Sequence, residues 1–130
     1  MRAGIPEAMA TTVYVLDADP DERKWIEGAL ASTVDAVIFF EDEGALLTRV
    51  PASEGACLIA SAEPDEAATL KLVRELRLRG AMLAVIVLGP PSAFRMAVDI
   101  ARLERTDFLE RPVTGRQLRA AVRKAVKAGA

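Results

Sequence analysis

The apolar residues of this chain fall into five short runs, and the stretches between them carry helical spacing. Thr12-Val13-Tyr14-Val15-Leu16 is β-branched and aromatic, which reads as a first strand. Asp19 then offers a helix cap and Pro20 a first helical position, so a helix is predicted over 20–31, with Trp25, Ile26, Ala29 and Leu30 at helical spacing. Residues 34–40 read as a second strand, and Asp42 as the cap of a short helix to Val50 that Pro51 stops. The unbroken apolar run 56–60 suits a central parallel strand covered on both faces. Over 65–79 Leu70, Val73 and Leu76 share one helical face, Arg74 and Arg77 lie outside it, and Gly80 marks the stop. A fourth strand is predicted over 82–88, closed by Gly89-Pro90-Pro91. Ser92 is expected to cap a helix to about Glu104, and 106–109 to form a fifth strand. Thr114 and Gln117 have the spacing of a capping box that opens a last helix to about Lys127.

Strand and helix therefore alternate five times. The pattern predicts an α/β fold, (βα)₅, with a doubly wound parallel five-stranded sheet and helices on both faces. At 130 residues the chain makes one domain over 11–130, with a loose tail over 1–10. A lone cysteine, Cys57, excludes an internal disulfide, and its apolar neighbours make it a buried, inert thiol in a reducing compartment. The first ten residues have one Arg and no long apolar stretch, unlike a signal peptide, and no run approaches the ~18 apolar residues of a membrane helix. A cytoplasmic protein is expected, with no membrane partner. Charge is unevenly spread: residues 1–65 carry 13 Asp and Glu against 4 Lys and Arg, and residues 66–130 carry 6 against 13.

Open α/β sheets bind ligands beyond the carboxyl ends of their strands, so chemistry is expected beside Asp17. The loop there, Asp17-Ala18-Asp19-Pro20, has no Gly-rich phosphate cradle. Four separated words carry a family resemblance: Thr12-Val13-Tyr14-Val15-Leu16-Asp17, Val85-Ile86-Val87-Leu88, Met96-Ala97-Val98 and Asp107-Phe108-Leu109-Glu110-Arg111-Pro112. In order and spacing they resemble the response-regulator receiver domains, most closely those of FixJ type, over residues 11–127. The resemblance implies a flavodoxin-like, CheY-like sheet of order 2-1-3-4-5. It also implies the family's phosphorylation site, in which acidic residues after the first strand hold Mg²⁺ and an Asp ending the third strand accepts phosphate. A Thr or Ser after the fourth strand and a Lys before Pro after the fifth grip the phosphate, and an aromatic residue on the fifth strand moves with the hydroxyl residue.

Most of that set is missing when it is carried over residue by residue. Asp17 matches the first acidic position, and Ala18 stands where a metal-ligating Asp belongs. The phosphoacceptor position falls on Ser61 without a gap and on Ala60 with a one-residue shift, and neither is a carboxylate. The hydroxyl position falls on Gly89, or on Leu88 with the shift. Arg111 replaces the Lys, keeping positive charge but turning a point ammonium into a planar fork. Phe108 keeps the aromatic position and Pro112 the proline.

These positions make the chain a degenerate pseudo-receiver that signals through protein contacts, with no enzyme activity, no cofactor and no metal. It would act alone or as the N-terminal part of a transcriptional regulator. Serine is no nucleophile here, because the chain has no His to serve as base. Arg111 is expected to pair with Asp17 in the emptied pocket. The competing reading is a small-ligand sensor that uses that pocket. The last resemblance-based expectation is a homodimer through the fourth helix, fifth strand and fifth helix, with Arg95, Asp99, Arg102, Glu104, Arg105, Asp107, Arg119 and Arg123 on the contact face. Direct nucleic-acid binding is not expected, since the chain is acidic overall and its basic residues have no aromatic residues between them.

Overall fold

The computed structural model describes residues 11–49 and 56–129. The expected tail over 1–10 and the stop at Pro51 lie outside these residues. In chain order the elements are β1 (Thr12–Leu16), α1 (Pro20–Leu30), β2 (Ala36–Phe40), α2 (Glu43–Arg49), β3 (Ala56–Ser61), α3 (Glu66–Leu78), β4 (Ala84–Gly89), α4 (Phe94–Ala101), β5 (Thr106–Glu110) and α5 (Gly115–Gly129). All strand pairs are parallel, and the sheet order is β2-β1-β3-β4-β5. This is the doubly wound CheY-like fold expected from the sequence.

Strand alternation sorts the core into two layers. Tyr14, Leu58, Ala60, Val85 and Val87 face one side, against Leu72, Val73 and Leu76 of α3 and Met96 and Ile100 of α4. Val13, Val15, Cys57, Ile59, Ile86 and Leu88 face the other, against Ile26 and Leu30 of α1 and Leu118 and Val122 of α5. β3 and β4 are buried at every position, which is why both read as unbroken apolar runs. Each large side chain so buried contributes about 1.5–3 kcal/mol. Burial also pushes the Cys57 thiol up to about 12, with a partial offset from the charge of Arg105.

The expected caps form at three of the five helices, and Asp65 caps a fourth. Asp19 Oδ1 accepts from the Asp21 and Glu22 amides, Asp42 Oδ1 from Ala45 and Asp65 Oδ1 from Ala68. The capping box closes in both directions, from Thr114 N to Gln117 Oε1 at 2.8 Å and from Gln117 N to Thr114 Oγ1 at 3.1 Å.

Four expectations are corrected. Ser92 does not cap α4: a turn from Pro90 O to Ala93 N (3.0 Å) makes Ala93 the cap residue, with no side-chain bond. That helix also ends at Ala101, where 3₁₀-type bonds tighten the chain (Arg102 N to Asp99 O, Leu103 N to Ile100 O) before Arg105, at φ 54°, turns it into β5. Met82 stays out of β4, because its carbonyl accepts from the Arg105 guanidinium and pairing with β3 opens at Ala84. Arg77, expected to face outward, lies half-buried and donates to the carbonyls of Ala81 (2.7 Å), Glu104 (2.9 Å) and Arg105 (3.2 Å), so it ties the end of α3 to the α4–β5 loop.

Candidate functional site

Three strands deliver their next residues to one cleft at the carboxyl edge of the sheet. β1 is followed by Asp17, whose Oδ1 accepts from the Asp19 amide at 2.9 Å, and this local turn starts α1. Starting α1 at Pro20 places Glu22 in its first turn. β3 ends in Ser61, held from both sides: its Oγ accepts from the Glu63 amide (3.1 Å), and its carbonyl accepts from the buried Thr69 hydroxyl (2.9 Å). β5 is followed by Arg111, whose backbone N–H donates to Gly89 O at 2.8 Å, ahead of a cis Arg111–Pro112 bond. Together with Ala18, Asp19, Glu63 and Pro64 these residues line a cleft of about 540 Å³.

Arg111 organises the cleft. Its Nε donates to Glu22 Oε2 (3.0 Å) and Nη2 to Glu22 Oε1 (2.5 Å), a two-point fork. Nη2 also donates to Ser61 Oγ (2.9 Å), and Nη1 to Glu63 Oε1 (3.1 Å) and Leu88 O (3.2 Å). A guanidinium has five N–H groups, and all five are used. The expected Arg111–Asp17 pair is therefore corrected: the partner is Glu22, because a residue in the first turn of α1 reaches farther over the strand ends than the shorter Asp17. Glu22 was not singled out as a site residue from the sequence. Its distance of three residues from the cap Asp19 was the available clue.

Asp17 is almost fully enclosed, and no N–H or O–H donor is directed at its Oδ2. Burial, then a hydrogen bond shared with Glu22, push its carboxyl up to about 7; the Asp19 amide and the charge of Arg111 only partly oppose this. Of the two carboxyls Asp17 is therefore the one that takes up a proton first, and Glu22 the one that keeps its charge to lower pH. Burial alone would raise Glu22, but hydrogen bonds from Arg111 and Asp17 outweigh it and hold Glu22 below its ordinary value. Arg111 is raised, chiefly by its bonds to Glu22. Among the described residues, no group of three or more His, Cys, Asp or Glu side chains is placed to hold a metal ion.

Of the two residues considered at the end of β3, Ser61 lines the cleft and Ala60 lies in the core. Leu88 lies in the opposite core layer, while Gly89 carries the Phe108 ring against its Cα. On the α4–β5–α5 face, Arg95, Arg102, Glu104, Asp107 and Arg123 are exposed and Asp99 is half-buried. Arg105 and Arg119 turn from that face toward backbone, Arg105 to Met82 O and Arg119 to Ala29 O of α1.

No family model matches the chain. Among curated proteins, the transcriptional regulatory protein FixJ of Azorhizobium caulinodans is 33% identical over 120 residues, covering 92% of this chain and 56% of that protein. The response regulator protein TodT of Pseudomonas putida is 26% identical over 118 residues, covering 91% of this chain and 52% of TodT. The chain thus spans about half the length of the curated relatives it matches. The structure of full-length FixJ from B. japonicum superposes with a TM-score of 0.81 at 22% identity, covering 91% of this chain and 58% of that one. A receiver protein from Pseudoalteromonas atlantica superposes with a TM-score of 0.77 at 23% identity, covering 92% of this chain and 99% of that one. Sheet order, strand-end cleft and these relatives define a receiver domain of the two-component response regulators. Within that class the chain belongs with the FixJ-type receivers. Among its described residues no helix is long and apolar enough to cross a membrane.

Proposed function

We propose that this receiver domain is a pseudo-receiver, which signals through protein contacts without being phosphorylated. In this reading Ser61 stands at the phosphoacceptor position, Ala18 at the metal-ligating position, Gly89 at the hydroxyl position and Arg111 at the lysine position. The observation that carries it is the full commitment of Arg111: every N–H is bonded to Glu22, Glu63, Ser61 or Leu88. A phosphoryl dianion entering the cleft would have to break those bonds and would meet the carboxylates of Glu22 and Glu63 at close range. A small anionic ligand meets the same obstacle, which weighs against the sensor reading. After incubation with acetyl phosphate and Mg²⁺, the intact protein is expected to keep its unmodified mass. A single added phosphate that hydroxylamine removes would overturn the proposal.

We assign the contact surface to α4, β5 and α5, as the face of a homodimer. Phe94 and Val98, one turn apart on α4, are 74% and 39% exposed, and Arg95, Arg102, Arg123, Glu104, Asp107 and Glu110, on these elements and the loop between α4 and β5, are exposed as well. A face of mixed sign can meet its own copy across a two-fold axis, where each opposite-charge contact occurs twice. Sedimentation is expected to show a dimer that weakens with salt and that Arg102→Glu or Arg123→Glu dissociates. A monomer at all concentrations, or a dimer indifferent to both substitutions, excludes this face. By analogy with the transcriptional regulators it matches, we place this cytoplasmic domain in a longer regulator whose output lies elsewhere in the chain.

A further inference from the structure

A second groove, of about 250 Å³, adjoins the cleft between the loops that follow β1, β2 and β3. The two share Asp17, Ser61 and Glu63, but Arg111 and Glu22 line only the cleft. Five carboxyl side chains ring the groove: Glu41, Asp42 and Glu43 where β2 passes into α2, and Glu63 and Asp65 where β3 passes into α3. No Lys or Arg is among its lining residues. Arg111 takes up only Glu63, from the cleft, and among the described residues no cation forms an ion pair with Glu41, Asp42, Glu43 or Asp65.

The floor of the groove is the end of the sheet. There Asp17 is only 5% exposed, and no N–H or O–H donor meets its Oδ2. An enclosed carboxyl oxygen left without a donor is costly, so a donor brought in from outside would be bound with gain. A metal ion does not fit this charge: a divalent cation draws several oxygens to within about 2.0–2.6 Å of one point, and no three of these carboxylates are placed to do so. Charge spread around a rim suits a larger cation, an ammonium or guanidinium whose N–H groups reach separate acceptors. Leu16, Pro64 and Ala68 add apolar wall for the methylenes of such a side chain. At about 30 Å³ per water the groove has the space of roughly eight waters, which admits one long side chain and excludes a helix.

We infer that this groove docks a basic segment of a partner protein, which inserts one Arg or Lys toward Asp17 and sets its neighbouring basic residues against the acidic rim. Charge complementarity selects the chemistry of the partner. Arg111, the cation of the adjoining cleft, cannot serve in its place, because all its N–H groups are engaged there. That the cation arrives on a protein rests on the reading that the domain signals through protein contacts.

Amide NMR titration of the domain with acetyl-tri-arginine amide tests the docking site, with acetyl-tri-citrulline amide as the uncharged counterpart and spermidine and Mg²⁺ as free cations. Tri-arginine is expected to give saturable shifts at Asp17, Asp42, Glu43 and Asp65 that weaken with salt, and tri-citrulline to give none. Glu41→Gln and Glu43→Gln are each expected to lower the affinity about two- to fivefold, and Asp17→Asn about tenfold or more. Absence of these shifts in the unsubstituted domain would overturn the inference whether or not the variants fold. Affinity that all three folded variants leave unchanged would overturn it too. Spermidine binding to the same residues as tightly as tri-arginine would make this a polyamine site, and Mg²⁺ displacing the peptide one for one would make it a metal site; either result overturns the docking of a protein segment. The titration contains no phosphoryl donor, so a phosphoryl adduct would defeat the pseudo-receiver reading and leave these results as they are.

Discussion

Asp17→Asn is expected to stabilise the domain by about 2 to 4 kcal/mol near pH 8 and by only about 1 kcal/mol near pH 4.5. The cause is the enclosed carboxyl, which is pushed up to about 7 from an ordinary 3.8. Between those values the folded state binds a proton that the unfolded chain has released, so stability falls as pH rises through this window and levels off above it. Asparagine keeps an oxygen for the Asp19 amide and an N–H toward Glu22, and it never ionises. It therefore resembles the protonated Asp17 of the low-pH state and avoids the cost incurred at high pH. Glu22 has the opposite sign: its lowered value contributes stability that is present above 4.5 and lost as pH falls through its folded value. Urea denaturation of both proteins across this range gives the difference directly. A difference that is constant with pH would mean that Asp17 is not held protonated.

Arg111→Met is expected to cost about 1–3 kcal/mol near pH 8, between the values for exposed and for buried ion pairs that lose one partner. The side chains of Arg111 and Glu22 are 22% and 18% exposed, so the pair is partly shielded from water. Removing the cation leaves Glu22, Glu63 and Asp17 facing one another. Protons take over part of its role in acid, so the loss should shrink toward pH 5. Arg111→Lys should recover only part of the stability, since one ammonium has three N–H groups for five acceptor contacts. Denaturation midpoints of the three proteins at both pH values check this, and a methionine variant as stable as the parent at pH 8 would show that the fork contributes nothing.

The sheet was legible in the sequence because its signals are local. The buried runs 56–60 and 85–88, the caps at Asp19 and Asp42, and the Thr114–Gln117 box each act within a few residues. Ser92 misled because a cap preference cannot compete with the turn that the preceding prolines set. Of the cleft, Asp17, Ser61 and Arg111 were legible as strand-end residues. The pairing of Arg111 with Glu22, 89 residues away in sequence, was not: it depends on how far α1 reaches over the sheet, which no local pattern encodes. The ring on Gly89 was hidden for the same reason, since the sequence shows a glycine after a strand and only the register brings Phe108 to it.

The central claim, that the cleft has no phosphorylated state, is tested most directly by amide NMR spectra recorded with and without beryllofluoride and Mg²⁺, which together mimic an acyl phosphate on a carboxylate. The expected result is two superimposable spectra, because Ser61 offers no carboxylate to beryllium and Arg111 has no N–H to give. Shifts that saturate with beryllofluoride and run from Ser61 through Gly89 to Phe108 and α4 would contradict the account.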